Sequence, residues 1–134
     1  MDAQKFTPEY FNQFGQETLP SHLGIVITAV REGELVAQFE VAAKHLAPNG
    51  FLHAGSVVTL ADTACGYACF AHLPEGAQNF TTIELKSNHL GTARDGVVVA
   101  TAAMPVAVAT HASAPSRAAR RSWNICTVGL VKRE

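Results

Sequence analysis

The stretch from Pro48 to Phe70, PNGFLHAGSVVTLADTACGYACF, constrains this chain more than any other. A Pro-Asn-Gly turn leads past His53 into an apolar run that predicts a helix from about Ala54 to Ala71. Val57, Val58, Leu60, Ala61, Ala64, Cys65, Tyr67, Ala68 and Phe70 cover most of its circumference. A helix apolar all round belongs inside a fold rather than on its surface. The small residues Ala61, Ala64, Gly66 and Ala68 would let a sheet approach closely. One carboxylate interrupts the run: Asp62 is the only acidic side chain between Glu40 and Glu75.

The flanking sequence supplies strands. Thr7-Pro8-Glu9 reads as a helix start, with Thr7 as cap and Pro8 at the first helical position; the stripe Phe6, Tyr10, Phe11, Phe14 makes a short helix ending near Gly15. Residues 16–22 read as loop. The β-branched run from Leu23 to Val30 predicts a strand and Arg31-Glu32-Gly33-Glu34 a turn. Leu35, Ala37, Phe39 and Val41 alternate with Val36, Gln38 and Glu40, as in a half-buried strand, which completes a hairpin over 23–42. Lys44 to Gly50 is a connection. After the long helix, 79–89 and 96–104 predict two more strands joined by Thr92-Ala93-Arg94-Asp95. Residues 105–121 are Ala-rich with no clear period, and Ser122 to Val131 suits a last strand. One long helix among antiparallel strands is an α+β arrangement, and 134 residues is the size of one domain.

The formal net charge of -1 gives no sign of nucleic acid or an anionic membrane as partner. Three cysteines, an odd number, argue against a disulfide framework and fit a reducing cytosol. No basic, then apolar, leader opens the sequence, and no apolar run is long and uniform enough for a bilayer. Cys65 and Cys69 read as core, with no His or Cys set completing a zinc site. Arg117, Arg120 and Arg121 suit either phosphate contact or a solvated surface.

Asp62 admits two readings. A carboxylate stripped of water costs several kcal/mol unless paired or hydrogen-bonded. It is therefore either a structural group bonded to a loop or reaching solvent at a subunit boundary, or a general base or nucleophile whose pKa burial raises. His53 precedes the helix, and the free amides of Ala54, Gly55 and Ser56 could hold a developing oxyanion at the positive end of the helix dipole. A lone histidine there also serves as a cap. Ala54 and Asp62 are eight residues apart, roughly 12 Å along one helix. If the two cooperate at one carbon, the carboxylate must come from a second copy of the chain. Thr81 and Thr82 suit ordinary strand positions, and one of them could bring a hydroxyl to the site.

PNGFLHAGSVVTLADTACGYA resembles the helix-entry motif of hotdog-fold acyl-CoA thioesterases of the phenylacetate-pathway (PaaI) type. In those enzymes an Asn/Gly turn leads to His-Gly-Gly, and an Asp follows nine residues after the His. NFTTIELKSNHLGTARDGVVVATA is similar to the hairpin that follows. The resemblance covers roughly residues 20–104. It implies a hotdog fold, a curved antiparallel sheet wrapped around one long central helix, in homodimers or homotetramers with sites between subunits. It also implies Asp62 as the catalytic carboxylate, the Ala54 backbone amide as the group that polarises the thioester carbonyl, and Thr82 as the residue that orients water. Asn49, His53 and Gly55 would shape the substrate pocket, and no metal or redox cofactor is implied. Three departures stand out. Ala54 replaces the first Gly after the His, Asn49 lies four residues before His53 where many members place an Asn six before, and residues 105–121 lack the usual Gly-Arg turn and long strands.

The expected function is a cytoplasmic homo-oligomeric hydrolase of small acyl- or aryl-CoA thioesters. The rival from another class is a hotdog module that binds acyl-CoA without turnover. A hydratase or dehydratase would need an acid/base His paired with the carboxylate in a different motif, which is not found.

Overall fold

The computed structural model describes residues 5–74, 76–104 and 127–133. Thr7 caps α1 (Pro8–Phe14), its hydroxyl accepting the Tyr10 amide at 3.2 Å. A one-turn helix, α2 (Leu19–His22), follows where a loop was expected. Its signal was Thr18 with Pro20 two residues on, the cap-and-proline start already used at α1. Strands β1 (Val26–Arg31) and β2 (Glu34–Glu40) form the hairpin, turning at Gly33 with φ 74°. The helix α3 occupies Ala54–Ala71, as the sequence predicts. Then come β3 (Val97–Ala103) and β4 (Thr127–Arg133). The sheet is antiparallel throughout, in the order β1-β2-β3-β4. Residues 105–121, and 122–126 of the expected last strand, lie outside the described residues; Arg117, Arg120 and Arg121 are among them.

The core lies between α3 and the sheet. Leu35, Ala37 and Phe39 of β2 point inward in strict alternation, beside Val98, Ala100 and Ala102 of β3. Against them α3 buries Leu60, Ala64, Ala68 and Ala71, residues three or four apart that share one face. Alanines meet alanines across this contact, which lets helix and sheet approach closely. The aromatic stripe of α1 closes one end: Phe11, fully buried, stacks on Tyr67 at 4.8 Å, and Phe6 meets Phe70 edge-on. Asn12 of α1 binds the edge of β1, its Oδ1 accepting the Ile27 amide at 2.8 Å and its Nδ2 donating to the Ile27 carbonyl at 3.0 Å. That double bond occupies backbone groups that an edge strand otherwise leaves open.

Two expectations need correction. The helix is not enclosed on every side: one face is buried by the sheet, while Val57, Val58, Ala61, Asp62 and Cys65 remain half-buried. The sheet supplies only one apolar layer, so the other apolar face is left partly open. Residues 79–89 also form no strand. They run as an exposed strap along α3, because no described strand lies beside them to complete a ladder. The strap matches the helix step for step: the Phe80 ring packs at Gly66 and Thr82 reaches Asp62. Two extended residues span about 6.6 Å and four helical residues about 6 Å, so the contacts stay in register. Among the described residues no helix is long and apolar enough to cross a membrane.

Candidate active site

Two groups of residues stand out on α3, one at its start and one in its middle. At the start, the chain leaves β2, makes a one-turn 3-10 helix over Ala43–His45, and folds back through a tight loop. Ala47 donates to the Phe51 carbonyl at 2.7 Å, and Gly50, at φ 80°, donates to the Ala47 carbonyl at 2.8 Å. Asn49 accepts the Phe51 amide on its Oδ1 at 3.1 Å, a local turn bond of the kind asparagine favours. The loop is anchored where Leu52 donates to the Ala93 carbonyl at 2.8 Å and where the Arg94 guanidinium lies 4.1 Å over the Phe51 ring.

His53 then caps α3. Its Nδ1 accepts the Gly55 amide at 2.8 Å, and its carbonyl accepts the Ser56 and Val57 amides at 3.0 and 3.4 Å. Of the four amides that a helix start leaves without i→i−4 partners, here those of His53 to Ser56, three are satisfied, His53 by the His45 carbonyl at 2.9 Å and Gly55 and Ser56 by the cap. Ala54 N–H is the one with no acceptor among the described residues. The sequence offered three candidate amides in this turn; the histidine cap reduces them to one. Gly55 is required by the same cap, because a Cβ there would sit 2.9 Å from His53 Nδ1.

In the middle of the helix, Asp62 is half-buried, and Thr82 Oγ1 donates to its Oδ1 at 3.0 Å. The carboxylate opens on a groove of about 450 Å³ walled by Val58 and Thr59 of α3, Leu19 and Pro20 of α2, and Leu85 of the strap. The structure thus brings Asp62 together with Thr82, and His53 together with Ala54 and Gly55. It keeps the two groups about two helical turns apart on the same α3, and it leaves Asn49 in the loop before the helix. Sequence reasoning passed over the α2 wall of the groove, having read 16–22 as loop. It also passed over the buried His45, which lay in a segment treated only as a connection. Elsewhere, burial in the aromatic cluster raises the Tyr67 phenol above its ordinary value. A hydrogen bond and charge from Lys132, at 2.7 Å, hold the Asp95 carboxyl below its own, tying β4 to the turn before β3.

Residues 49–107 match the Thioesterase superfamily. The chain is 32% identical over 98 residues to the 1,4-dihydroxy-2-naphthoyl-CoA hydrolase of Escherichia coli, covering 71% of this chain and 69% of that enzyme. The chain belongs to the thioesterase superfamily. A thioesterase of Haemophilus influenzae superposes with a TM-score of 0.78 at 29% identity, covering 95% of this chain and 80% of the other. The Escherichia coli PaaI protein shares the fold at a TM-score of 0.70 and 22% identity, covering 91% and 78%. The four-stranded antiparallel sheet on one long helix is therefore a hotdog fold, and by family the protein is a thioester hydrolase. The matched segment holds the Asn-Gly turn, the His53 cap, Asp62 and the strap bearing Thr82.

Proposed function

We propose that the protein hydrolyses small acyl- or aryl-CoA thioesters to the free acid and coenzyme A, at sites formed between two copies of the chain. The observation that carries this reading is the Asp62 carboxylate, held by the Thr82 hydroxyl at the edge of an apolar-walled groove. A structural carboxylate bonded only to its own chain would have no need of that opening. With Oδ1 taken by Thr82, Oδ2 is the oxygen left to act. As general base it removes a proton from water, and the hydroxide adds to the thioester carbonyl carbon. As nucleophile it adds to that carbon itself, expels the thiolate and leaves a mixed anhydride for water to cleave. In either course a negative charge develops on the carbonyl oxygen, and the Ala54 amide is the donor for it, assisted by the positive end of α3. The tetrahedral adduct then collapses and the carbon–sulfur bond breaks.

Thr82 holds the carboxylate in one rotamer and offers its oxygen to the water. His53 and Gly55 wall the path of the thioester, and Asn49 shapes the turn beside it. Leu19, Pro20, Val58 and Leu85 provide an apolar surface suited to an acyl or aryl group; a relative named for an aryl-CoA substrate points the same way. The second copy is called for by distance, since Ala54 and Asp62 of one helix are separated by roughly 12 Å. The half-buried face of α3, the exposed Ile83 of the strap and Leu90 just after it give that copy apolar surface to cover. A cytoplasmic setting, where CoA esters occur, completes the proposal.

Thiol release measured across aryl, short and medium acyl-CoA esters tests the reading. Asp62→Asn is expected to fold normally and lose about a hundredfold or more in kcat, and Thr82→Ala to lose less. Wild-type kcat in Asp62→Asn on every ester the native protein cleaves would exclude the mechanism. Binding of CoA esters by the native protein with no thiol released would favour a non-catalytic acyl-CoA module.

A further inference from the structure

His45 lies in the short connection between β2 and α3, yet it is only 1% exposed. Its ring is held on three sides. Nδ1 accepts the Ala42 amide at 2.9 Å, Nε2 stands 2.7 Å from the Leu23 carbonyl, and the ring stacks on Phe39 with centroids 4.3 Å apart. A nitrogen that accepts an N–H carries no proton, so the tautomer assigned by these contacts is Nε2–H, donating to Leu23. The carbonyl of the same residue faces the start of α3. It accepts the His53 amide at 2.9 Å and the Ser56 hydroxyl at 3.1 Å. Those two donors lie on either side of Ala54, whose own amide has no acceptor among the described residues.

We propose that His45 is a positioning residue that aims the Ala54 amide at the substrate carbonyl, an inference that rests on the hydrolytic reading above. The ring ties residue 45 to the Leu23 carbonyl at the end of α2 and to Phe39 of β2. Its carbonyl then fixes residues 53 and 56, and the amide between them has little freedom left. Without the ring, residue 45 would lose its ties to Leu23 and to the Ala42 amide, and the helix start would rest on the 46–52 loop with its contacts to Ala93 and Arg94. A misplacement of about 1 Å in a reacting geometry costs on the order of a hundredfold in rate. The effect belongs in kcat rather than KM, because the oxyanion bond strengthens as the transition state forms.

The test measures kcat, KM and thermal melting of the full-length chain on one thioester that the native protein cleaves. His45→Phe keeps the ring and the stack but removes both ring hydrogen bonds. His45→Asn restores an acceptor for the Ala42 amide, and Ser56→Ala removes one of the two ties to the helix start. The expected results are a fall in kcat of about tenfold to a hundredfold in His45→Phe with KM within about twofold, partial recovery in His45→Asn, and a several-fold fall in Ser56→Ala. If His45→Phe does not fold, His45→Asn and Ser56→Ala decide the matter. Folded variants with lowered melting temperatures but native kcat would overturn the proposal and leave His45 a purely structural residue. Asp62→Asn is assayed alongside. Hydrolysis retained there defeats the hydrolytic reading itself, whereas hydrolysis lost there with native kcat in the His45 and Ser56 variants defeats this inference alone.

Discussion

Gly55 carries no side chain because the His53 imidazole occupies the space a Cβ would need, 2.9 Å from Nδ1. The same imidazole takes the Gly55 amide and so leaves Ala54 as the open donor. A cap of this kind is worth about 1 kcal/mol, and here it also decides which amide is left open. Gly55→Ala sets the lost cap against alanine's better helix propensity, also about 1 kcal/mol, so it should change stability little and lower kcat more than any loss of stability explains. Thermal melts and steady-state thiol release on the same preparation check both. At this scale the sequence was informative about identity and poor about environment. His53, Asp62 and Thr82 all stand out in the sequence, and the Thr82–Asp62 bond joins two of them. The burial expected of Asp62 was inferred from its apolar neighbours in sequence, but exposure depends on what packs against that face, and one sheet covers only the opposite face. His45 was passed over for the reverse reason, since nothing local distinguishes a buried histidine from a solvated one in a loop.

The element that organises the site is α3 with the strap laid along it. The helix was legible residue by residue because its apolar run is long and bounded by a turn on one side and Leu73-Pro74 on the other. The β1–β2 hairpin was legible because its alternation has period two. The strap was misread as a strand: its residues have strand propensity, but a strand exists only through a partner, and pairing is non-local. Gly66 is where helix and strap meet most closely, with a Cβ there falling 3.0 Å from the Phe80 ring. Gly66→Ala sets two effects against each other. The helix gains about 1 kcal/mol in propensity, while the Phe80 ring must give way by a few tenths of an ångström and move the strap that carries Thr82. The exposed strap can yield, so the expected outcome is a raised melting temperature with a several-fold lower kcat. Scanning calorimetry with kinetics on the same variant would show whether the two properties separate.

For the whole molecule, the described residues of one chain share a core, while the proposed site would draw on two chains. The sheet, α3 and the aromatic stripe of α1 bury one another without help, yet the open amide and the carboxylate lie on one helix with about two turns between them. The partly open side of α3, Asp62 included, is what a second copy would cover. The sequence already contained this consequence, because helical rise alone separates positions 54 and 62. What it could not supply was the groove, since α2, α3 and the strap meet only in three dimensions.

Mixing two inactive variants tests the division of the site most directly. Ala54→Pro removes the amide hydrogen at the first helical position, where proline is tolerated, and His53 already has the extended backbone that a following proline requires, at φ -70° and ψ 133°. Each of Ala54→Pro and Asp62→Asn should be inactive alone. Refolded together in equal amounts, they form mixed dimers in which one of the two sites has both groups intact, so thiol release should return to about a quarter of the native rate by random pairing. A mixture no more active than its two parents, with mixed dimers demonstrated in the same sample, would contradict a site shared between two copies.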